Sequence, residues 1–410
     1  MTPSIVLSDL ANDFVSCSRG DFESVYGALG YWVYGGLFDL FGQSLTVYYA
    51  ANITFIVLTA LLLLRINWLC VPVFFALCVF PSVNLNLLRP YSLSGLVQSF
   101  LLACLVSIDK GPNGEAVITL DCQSKIGGSI PPWSVWLKRL IIFLICLGKV
   151  EIALAVVIFT RAWWGLLVIL PMLTKVVIAL QPMSLTYPLK LFLVSAGGFL
   201  APVLALIQEG PDLNHALQML LLVLMIYPFN PLGLLLHARM FFNQGSQSIY
   251  TMHMAPMMIK NQWQRVSIAA LCGIILLSNL HSNKDFIFVR TPYGQMRLSD
   301  DAYGRDMLAT ADFIKANPGD IWAGPNMDIY FLTGRAPVAE KGYIPFLNHH
   351  KADGGQSDRD TIEAIKKVRY VVIDKFKHSD EGWLPRVNRF ARSLPVAFEN
   401  RHFLIGEIKI

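Results

Sequence analysis

The chain has 410 residues, of which 54% are hydrophobic and only 15% are charged, whereas soluble domains carry about 25% charged residues. A mean hydropathy of +0.51 excludes an ordinary soluble protein over the whole length. The net charge of +5 is small and mixed in sign, without the basic stripe of a nucleic-acid-binding protein. We therefore expect a membrane protein that does not bind nucleic acid.

The charges lie unevenly along the chain. Residues 282–410 hold 19 of the 33 lysines and arginines and 17 of the 28 aspartates and glutamates. This distribution predicts an outer loop with an interfacial helix over residues 1–44, a transmembrane domain over 45–281 and a water-soluble domain over 282–410.

Residues 19–45 begin with acidic residues and continue into a segment rich in aromatic residues and glycine, RGDFESVYGALGYWVYGGLFDLFGQSL. Tyrosine and tryptophan favour the membrane interface, because one end of each side chain is apolar and the other is wet. One interpretation is a helix that lies flat among the lipid headgroups. The other is one wall of a cavity at the membrane surface, in which a carboxylate such as Asp21 accepts a proton from an incoming hydroxyl or amine.

Apolar segments long enough to cross the bilayer follow. A hydrocarbon core of about 30 Å needs about 20 apolar residues in a helix. Eight segments meet this criterion approximately: 45–64, 66–82, 91–107, 138–160, 162–181, 187–207, 215–237 and 265–281. The fourth carries Lys149 and Glu151 at its centre, so we expect either a break in the helix or a wet cavity at this point.

The basic connections predict the orientation. Arg65 and the loops 108–139 and 238–265 fall on one side by parity, which the positive-inside rule makes cytoplasmic. Both termini then lie outside. The first residues, MTPSIVLSDLANDF, resemble no signal peptide, and an exported N-terminus without a preceding span is unusual. We therefore expect that a first transmembrane helix is missing from this chain.

The tail is predicted to be a small α/β domain with a two-layer or three-layer sheet. Its predicted helices are 303–316, 326–335 and a segment after Gly382, and its predicted strands include 320–324, 369–374 and a terminal hairpin. The four histidines of the tail do not have the spacing of a zinc site, and we predict no bound metal or other cofactor. These residues are His349, His350, His378 and His402.

Two further sites carry charge where charge is unusual. Arg89 lies at the outer end of a predicted span, where it either snorkels to the interface or binds a phosphate through its guanidinium fork. Lys149 and Glu151 are two residues apart and so do not face each other on one helix. They form ion pairs with other spans, or they belong to a functional site.

Together these segments resemble the GT-C superfamily of polytopic membrane glycosyltransferases, and in particular the branch of the dolichyl-phosphate-mannose and aminoarabinose transferases. The resemblance rests on four stretches in order: SRGDFESVYGALGYWVYGGLFDLFGQSL, RPYSLSGLVQSFLLACL, GKVEIALAV and ADFIKANPGDIWAGPNMDIYFLTGRAP. It covers most of the chain, from about residue 19 to residue 410.

The resemblance implies an inverting enzyme of the bacterial cytoplasmic membrane with its C-terminal domain outside. Such enzymes transfer a sugar from a polyprenyl-phosphate donor to a glycan, lipid or protein acceptor on the external face, and many need no metal. By position, Asp21 and Glu151 are the implied catalytic residues, and Arg89 and Lys149 the implied contacts of the lipid phosphate. Glu151 would orient Lys149 or the sugar.

Two alternatives stay open. The loss of the usual base region ahead of Asp21 is compatible with an inactive relative that serves as a binding or scaffold subunit in envelope polysaccharide assembly. A transporter or flippase with a soluble appendage is the other alternative, although the chain lacks the internal repeats typical of transporters.

Overall fold

The computed structural model describes residues 10, 14, 28–76, 93–109, 132–148, 150–170, 221, 224, 256–257, 259–281, 286–323, 328–335, 362–363, 365–375 and 385–409. The chain forms two compact units. The helical unit comprises Gly20–Leu40 and Val47–Asn283, and the C-terminal unit comprises Met1–Arg19, Phe41–Thr46 and Lys284–Ile410. The boundary at residues 283 and 284 lies close to the one predicted from the charge distribution.

Seven helices are described in the first part of the chain: α1 (Ala28–Phe41), α2 (Leu45–Ile66), α3 (Cys70–Phe74), α4 (Leu93–Asp109), α5 (Pro132–Cys146), α6 (Val150–Thr160) and α7 (Gln262–His281). An apolar core holds the helical unit together. It includes Leu63 of α2, Leu96 of α4 and Ile145 of α5, all of which are fully buried.

Helix α2 is the one helix in the described part of the chain that is both long and apolar enough to cross a membrane. Its 22 residues include an 18-residue window with a mean hydropathy of 2.1, and their length is about 33 Å, against about 30 Å for the hydrocarbon core. Helices α4 and α7 contain shorter apolar stretches, Gly95–Ile108 and Gln262–Leu277. The predicted spans 187–207 and 215–237 lie almost entirely outside the described residues, so the number of eight stays a prediction.

The predicted span 138–160 is broken in the middle. Helix α5 ends at Cys146 and α6 begins at Val150. The last turn of α5 tightens as the chain leaves the helix, with Leu147 N–H donating to Leu144 O and Gly148 N–H donating to Ile145 O. Of the two expectations for this segment, a break or a wet cavity, the break is confirmed.

The C-terminal unit contains a four-stranded sheet with the strand order β3-β4-β6-β5. The strands are β3 (Ile321–Ala323), β4 (Tyr370–Asp374), β5 (Val396–Glu399) and β6 (Phe403–Glu407), and a separate hairpin comprises β1 (Phe286–Thr291) and β2 (Gly294–Ser299). Strands β3 and β4 are parallel, and the other neighbouring pairs are antiparallel. Every residue of β4 is buried, as expected for a central strand.

Helices cover both faces of this sheet. Val371 and Ile373 pack with Val387 and Ala391 of α10 (Pro385–Arg392). On the other face, the ring of Phe313 in α8 (Ala302–Ala316) contacts Tyr370. Because successive side chains of a strand point to opposite faces, these contacts make the unit three-layered, which is one of the two arrangements expected.

Several predicted elements of the tail are observed. Helix α8 ends at Ala316, with Asn317 as its C-cap. Helix α9 (Asp328–Thr333) is followed by Gly334 at φ +72°, the left-handed conformation that glycine adopts at helix ends. The Tyr330 hydroxyl of α9 accepts a hydrogen bond from Ala323 N–H of β3 at 2.8 Å, so α9 packs on the sheet as expected.

Residues from the start of the chain complete the C-terminal unit. The Phe14 ring is fully buried and lies 4.7 Å from the Tyr293 ring and 5.4 Å from the Phe331 ring, centroid to centroid. The Gln43 amide donates to the Phe14 carbonyl at 3.4 Å. The predicted outer loop 1–44 therefore contributes core residues to the same unit as the tail.

The N-cap of α8 gives a test of this unit. The Asp301 carboxylate accepts from Gly304 N–H at 2.7 Å, and loss of such a cap costs about 1 kcal/mol. Asp301→Ala should therefore raise the exchange rate of the β4 amide hydrogens about fivefold, since 1.4 kcal/mol is a factor of ten. Hydrogen exchange of the full-length protein in detergent measures this.

The matched control is Asp312→Ala on the same helix. The Asp312 side chain is 73% exposed and 3.6 Å from Lys315, and exposed ion pairs contribute little. Equal exchange rates in the two variants would contradict the capping role of Asp301.

Candidate functional site

The structure does not place three of the four residues predicted for the site. Asp21, Arg89 and Lys149 lie outside the described residues, and only the backbone of Glu151 is described, as the second residue of α6. Their assignment stays a prediction. Several described residues that lie near these positions in the chain contact one another at the break between α5 and α6.

Helix α1 begins against this break. Leu29, the second residue of α1, donates its backbone N–H to Leu147 O at 3.1 Å. The first N–H groups of a helix have no partner within the helix, and the chain that leaves α5 supplies one here. The start of α1 is therefore joined to the residues directly before Lys149.

Helix α4 contacts the same point through a side chain. Gln98 is fully buried, and its amide nitrogen donates to Ile145 O at 2.8 Å. In an uninterrupted helix this carbonyl would accept from residue 149. Ile145 O therefore accepts two hydrogen bonds, one from Gly148 N–H and one from the Gln98 amide.

Gly148 makes room for the Gln98 amide. A Cβ atom at position 148 would lie 2.1 Å from Gln98 Cδ and 2.2 Å from its amide nitrogen, so the Gln98 side chain would have to move. Glycine at position 148 is therefore required for this placement of the Gln98 amide. We call Leu29, Gln98 and residues 145–148 the break junction.

A second polar contact ties α1 to α2. The Tyr34 hydroxyl donates to Asn52 Oδ1, and both residues are fully buried. The Tyr34 ring also lies 5.6 Å from the Tyr48 ring and 6.2 Å from the Phe55 ring. One face of α1 is therefore packed into the helical unit, while Trp32, Leu40 and Phe41 of the same helix are exposed; the two interpretations of this segment stay predictions.

The predicted site residues are close in sequence to the break junction. Lys149 directly follows Gly148, and Asp21 precedes Leu29 by eight residues. Arg89 precedes Gln98 by nine residues and the start of α4 by four. Each of the three segments that carry Asp21, Arg89 and Lys149 thus has a described residue, within nine positions in the chain, that belongs to the break junction.

The C-terminal unit holds a different buried polar cluster, which sequence reasoning missed. The Tyr303 hydroxyl of α8 donates to Asp374 Oδ2 at 2.5 Å. Asp374 ends the parallel strand β4, and Asp328 opens the helix after β3; both are buried. The carboxyl ends of parallel strands are frequent ligand sites. The aspartate at the end of the predicted strand 369–374 is therefore the feature of the sequence that could have indicated this cluster.

Burial raises the pKa of the Tyr303 hydroxyl well above its ordinary value, and the neighbouring carboxylates of Asp374 and Asp328 raise it further. The Tyr303 ring lies edge-on to His402, 5.3 Å between centroids. His402 Nδ1 is 2.7 Å from Asp306 Oδ2. His402, one of the four histidines of the tail, is buried and contacts Asp306 of α8.

Within the described residues, no group of three or more histidine, cysteine, aspartate or glutamate side chains could hold a metal ion. The expectation of a metal-free protein is not tested by this, because the predicted site residues are not described.

The comparisons with known proteins found no match: no protein-family model, no curated protein and no solved structure resembles the chain significantly.

The close approach of Gly148 and Gln98 predicts that the effects of substitutions at these two positions depend on each other. Gly148→Ala should displace the Gln98 amide from Ile145 O and lower the free energy of unfolding of the helical unit by about 1–3 kcal/mol, the usual effect of overpacking. Thermal unfolding in detergent measures the change. In a Gln98→Ala background the same substitution should cost much less, because the colliding atoms are absent.

Gly36→Ala in α1 is the matched control. No atom lies within 4 Å of a Cβ at that position, and alanine is the better helix former, so stability should stay the same or rise. An equal loss of stability for both glycine variants would contradict the junction.

Tyr303→Phe should destabilise the C-terminal unit at neutral pH by about 1–3 kcal/mol, because the buried Asp374 carboxylate loses a donor. The pH dependence has a definite sign. The unfolded chain releases the tyrosine proton near pH 10.0, whereas folded Tyr303 retains it, so the wild type loses stability as the pH rises above this value.

The stability difference between wild type and Tyr303→Phe should therefore narrow above that pH. Pulse proteolysis at a series of pH values measures it on the full-length protein. Tyr370→Phe, which removes a hydroxyl that makes no hydrogen bond among the described residues, is the control. A difference that is constant across alkaline pH would contradict the buried, protonated state of Tyr303.

Proposed function

We propose that the protein is a membrane glycosyltransferase of the inverting GT-C type, which transfers a sugar from a polyprenyl-phosphate donor to a glycan, lipid or protein acceptor on the external face of the bacterial cytoplasmic membrane. The observation that supports the proposal is the break junction. Leu29, eight residues after Asp21, and Gln98, nine residues after Arg89, both contact the residues that directly precede Lys149.

A broken helix in an apolar segment favours a binding site. Irregular backbone at membrane depth is tolerated only where it is buried in protein or lines a cavity, and broken helices commonly form substrate sites in membrane proteins. The first N–H groups of a helix have no partner within the helix, and the N-terminus of α6 is the positive end of its dipole. With Lys149 directly before this helix, the segment suits an anion such as a lipid phosphate.

The proposed chemistry is a single displacement. The acceptor hydroxyl attacks the anomeric carbon as the bond from this carbon to the phosphate oxygen breaks, and the polyprenyl phosphate leaves with the electron pair. Asp21 takes the proton of the hydroxyl. Arg89 and Lys149 bind the phosphate as its charge increases, since guanidinium and ammonium groups stabilise such an anion, and Glu151 orients Lys149 or the sugar.

One contact within the C-terminal unit supports the proposed orientation. Leu45, the first residue of α2, donates its N–H to Tyr293 O at 2.9 Å. If α2 crosses the membrane, its N-terminal end and the residues around Tyr293 share one side. The orientation from the basic loops also puts the start of this span and the tail outside.

Transfer of sugar in nanodiscs from a polyprenyl-phosphate donor tests the proposal. Asp21→Asn should lower the rate about a hundredfold or more, the range for loss of a general base. Lys149→Ala and Arg89→Ala should lower it strongly by weakening phosphate binding. Asp312→Asn and Lys315→Ala, which change exposed residues of α8, are matched controls and should leave the rate unchanged.

Wild-type rates in all three site variants would contradict the assignment of the site. A wild-type protein that binds the donor without transferring its sugar would favour the inactive relative. Movement of the lipid-linked sugar across the bilayer without transfer would favour the flippase.

A further inference from the structure

The hairpin β1–β2 stands apart from the four-stranded sheet. Its two strands pair without irregularity from Phe286 and Ser299 at the open end to Thr291 and Gly294 at the turn. An isolated two-stranded hairpin is at most marginally stable in water. This hairpin therefore depends on what covers its two faces.

One face is covered by the C-terminal unit. The side chains of Val289, Thr291, Met296 and Leu298 are buried. Tyr293 in the turn stacks on Phe331 of α9 at 5.2 Å between centroids. This face supplies the hairpin with its hydrophobic support.

The other face is open and has an unusual composition. Phe288 is 60% exposed, and its neighbour on the same face, Arg290, is also exposed. In the register of the hairpin, Phe288 is opposite Arg297 and Arg290 is opposite Gln295. Gln295 is exposed as well, so the described side chains of this face are a phenylalanine, an arginine and a glutamine, with no acidic residue among them.

The turn of the hairpin is fixed at the first residue of α2. Besides the hydrogen bond from Leu45 N–H to Tyr293 O at 2.9 Å, the Thr291 hydroxyl donates to Gly294 O at 2.8 Å. A Cβ at Gly294 would lie 3.5 Å from Leu45 Cβ. The turn thus sits directly against the end of the helix that is long and apolar enough to cross a membrane.

We infer that the open face of the hairpin β1–β2 binds the membrane surface through anionic lipid headgroups. The inference rests on the proposed function in one respect, that α2 spans the bilayer. The first residue of a span lies at the level of the headgroups, and a turn bonded to that residue lies at the same level. Only four residues separate α7, the last predicted span, from β1 in the chain.

The chemistry of the face matches this partner. An aromatic ring is favoured at the boundary between headgroups and acyl chains, and arginines near an anionic leaflet are attracted to it. A soluble anion would bind Arg290 but would leave the exposed Phe288 in water. A lipid surface accommodates both kinds of side chain.

Photocrosslinking tests the inference on the full-length protein in nanodiscs. The photoreactive residue p-benzoylphenylalanine is placed at Phe288, at Val396 and at Leu61, which have similar exposures of 60%, 55% and 56%. Adducts with lipid are counted by mass spectrometry. We expect lipid adducts at position 288 and, as the positive control on α2, at position 61, with several-fold less at position 396 on β5.

The outcomes separate the two proposals. Adducts at position 61 but none at 288 above the level of 396 overturn the hairpin inference alone. No lipid adduct at position 61 overturns the membrane insertion of α2 and the inference with it. Adducts at 61 and 288 without any sugar transfer by the wild type uphold the hairpin inference and contradict the enzyme. Adducts of 288 with a second copy of the chain, instead of lipid, also overturn it.

Charge dependence is the second arm. Replacing phosphatidylcholine in part by phosphatidylglycerol should raise the adduct yield at 288, and Arg290→Glu should lower this yield about fivefold or more by removing a cation from the surface. Arg389→Glu on α10 is the matched control and should leave the yield unchanged. A yield that responds to neither the lipid charge nor Arg290 would overturn the anionic headgroup as the partner.

Discussion

The helical unit depends on the way in which the break between α5 and α6 is satisfied. A carbonyl without a partner in an apolar environment costs several kcal/mol, so a helix interrupted in an apolar segment survives only where neighbours supply donors. Ile145 O accepts from Gly148 N–H in the tightened last turn and also from the Gln98 amide of α4, and the second contact needs a glycine at position 148. The Leu147 carbonyl accepts from Leu29 N–H at the start of α1. The end of α5 is thus joined by hydrogen bonds to α1 and α4.

In the C-terminal unit, too, buried polar groups have hydrogen-bond partners on neighbouring helices and strands. Asp374 at the end of β4 is buried, and the Tyr303 hydroxyl reaches it from α8. Asn400, between β5 and β6, donates to the Asp306 carbonyl and accepts from Phe403 N–H. These contacts bind α8 to the strands through polar groups that have little access to water. Buried polar groups of this kind specify one arrangement of helix and sheet more sharply than apolar packing does.

Local features of this fold could be predicted from the sequence, and long-range ones could not. The interruption between α5 and α6 could be expected from two opposite charges in an apolar run, and α8 and β4 from periodicity and β-branched residues. The hairpin β1–β2 was not predicted, although FIFVRT of β1 has the β-branched and aromatic residues typical of strands; GQMRLS of β2 lacks them. The pairing of Gln98 with Ile145, and of Tyr303 with Asp374, joins residues 47 and 71 positions apart, which no local pattern indicates. For the candidate site, the sequence supplied the charged residues and the structure supplied the meeting of their neighbours.

The hydrogen bond between Leu45 and Tyr293 has a consequence for biosynthesis. The two residues are made far apart in time: at typical rates of translation, Tyr293 leaves the ribosome on the order of ten seconds or more after Leu45. By then Leu45 and the rest of α2 have left the ribosome. The Leu45 N–H therefore has no access to its partner until Tyr293 has been synthesised and the C-terminal unit has folded. A residue that is made late in synthesis thus supplies the hydrogen-bond acceptor for the first residue of α2.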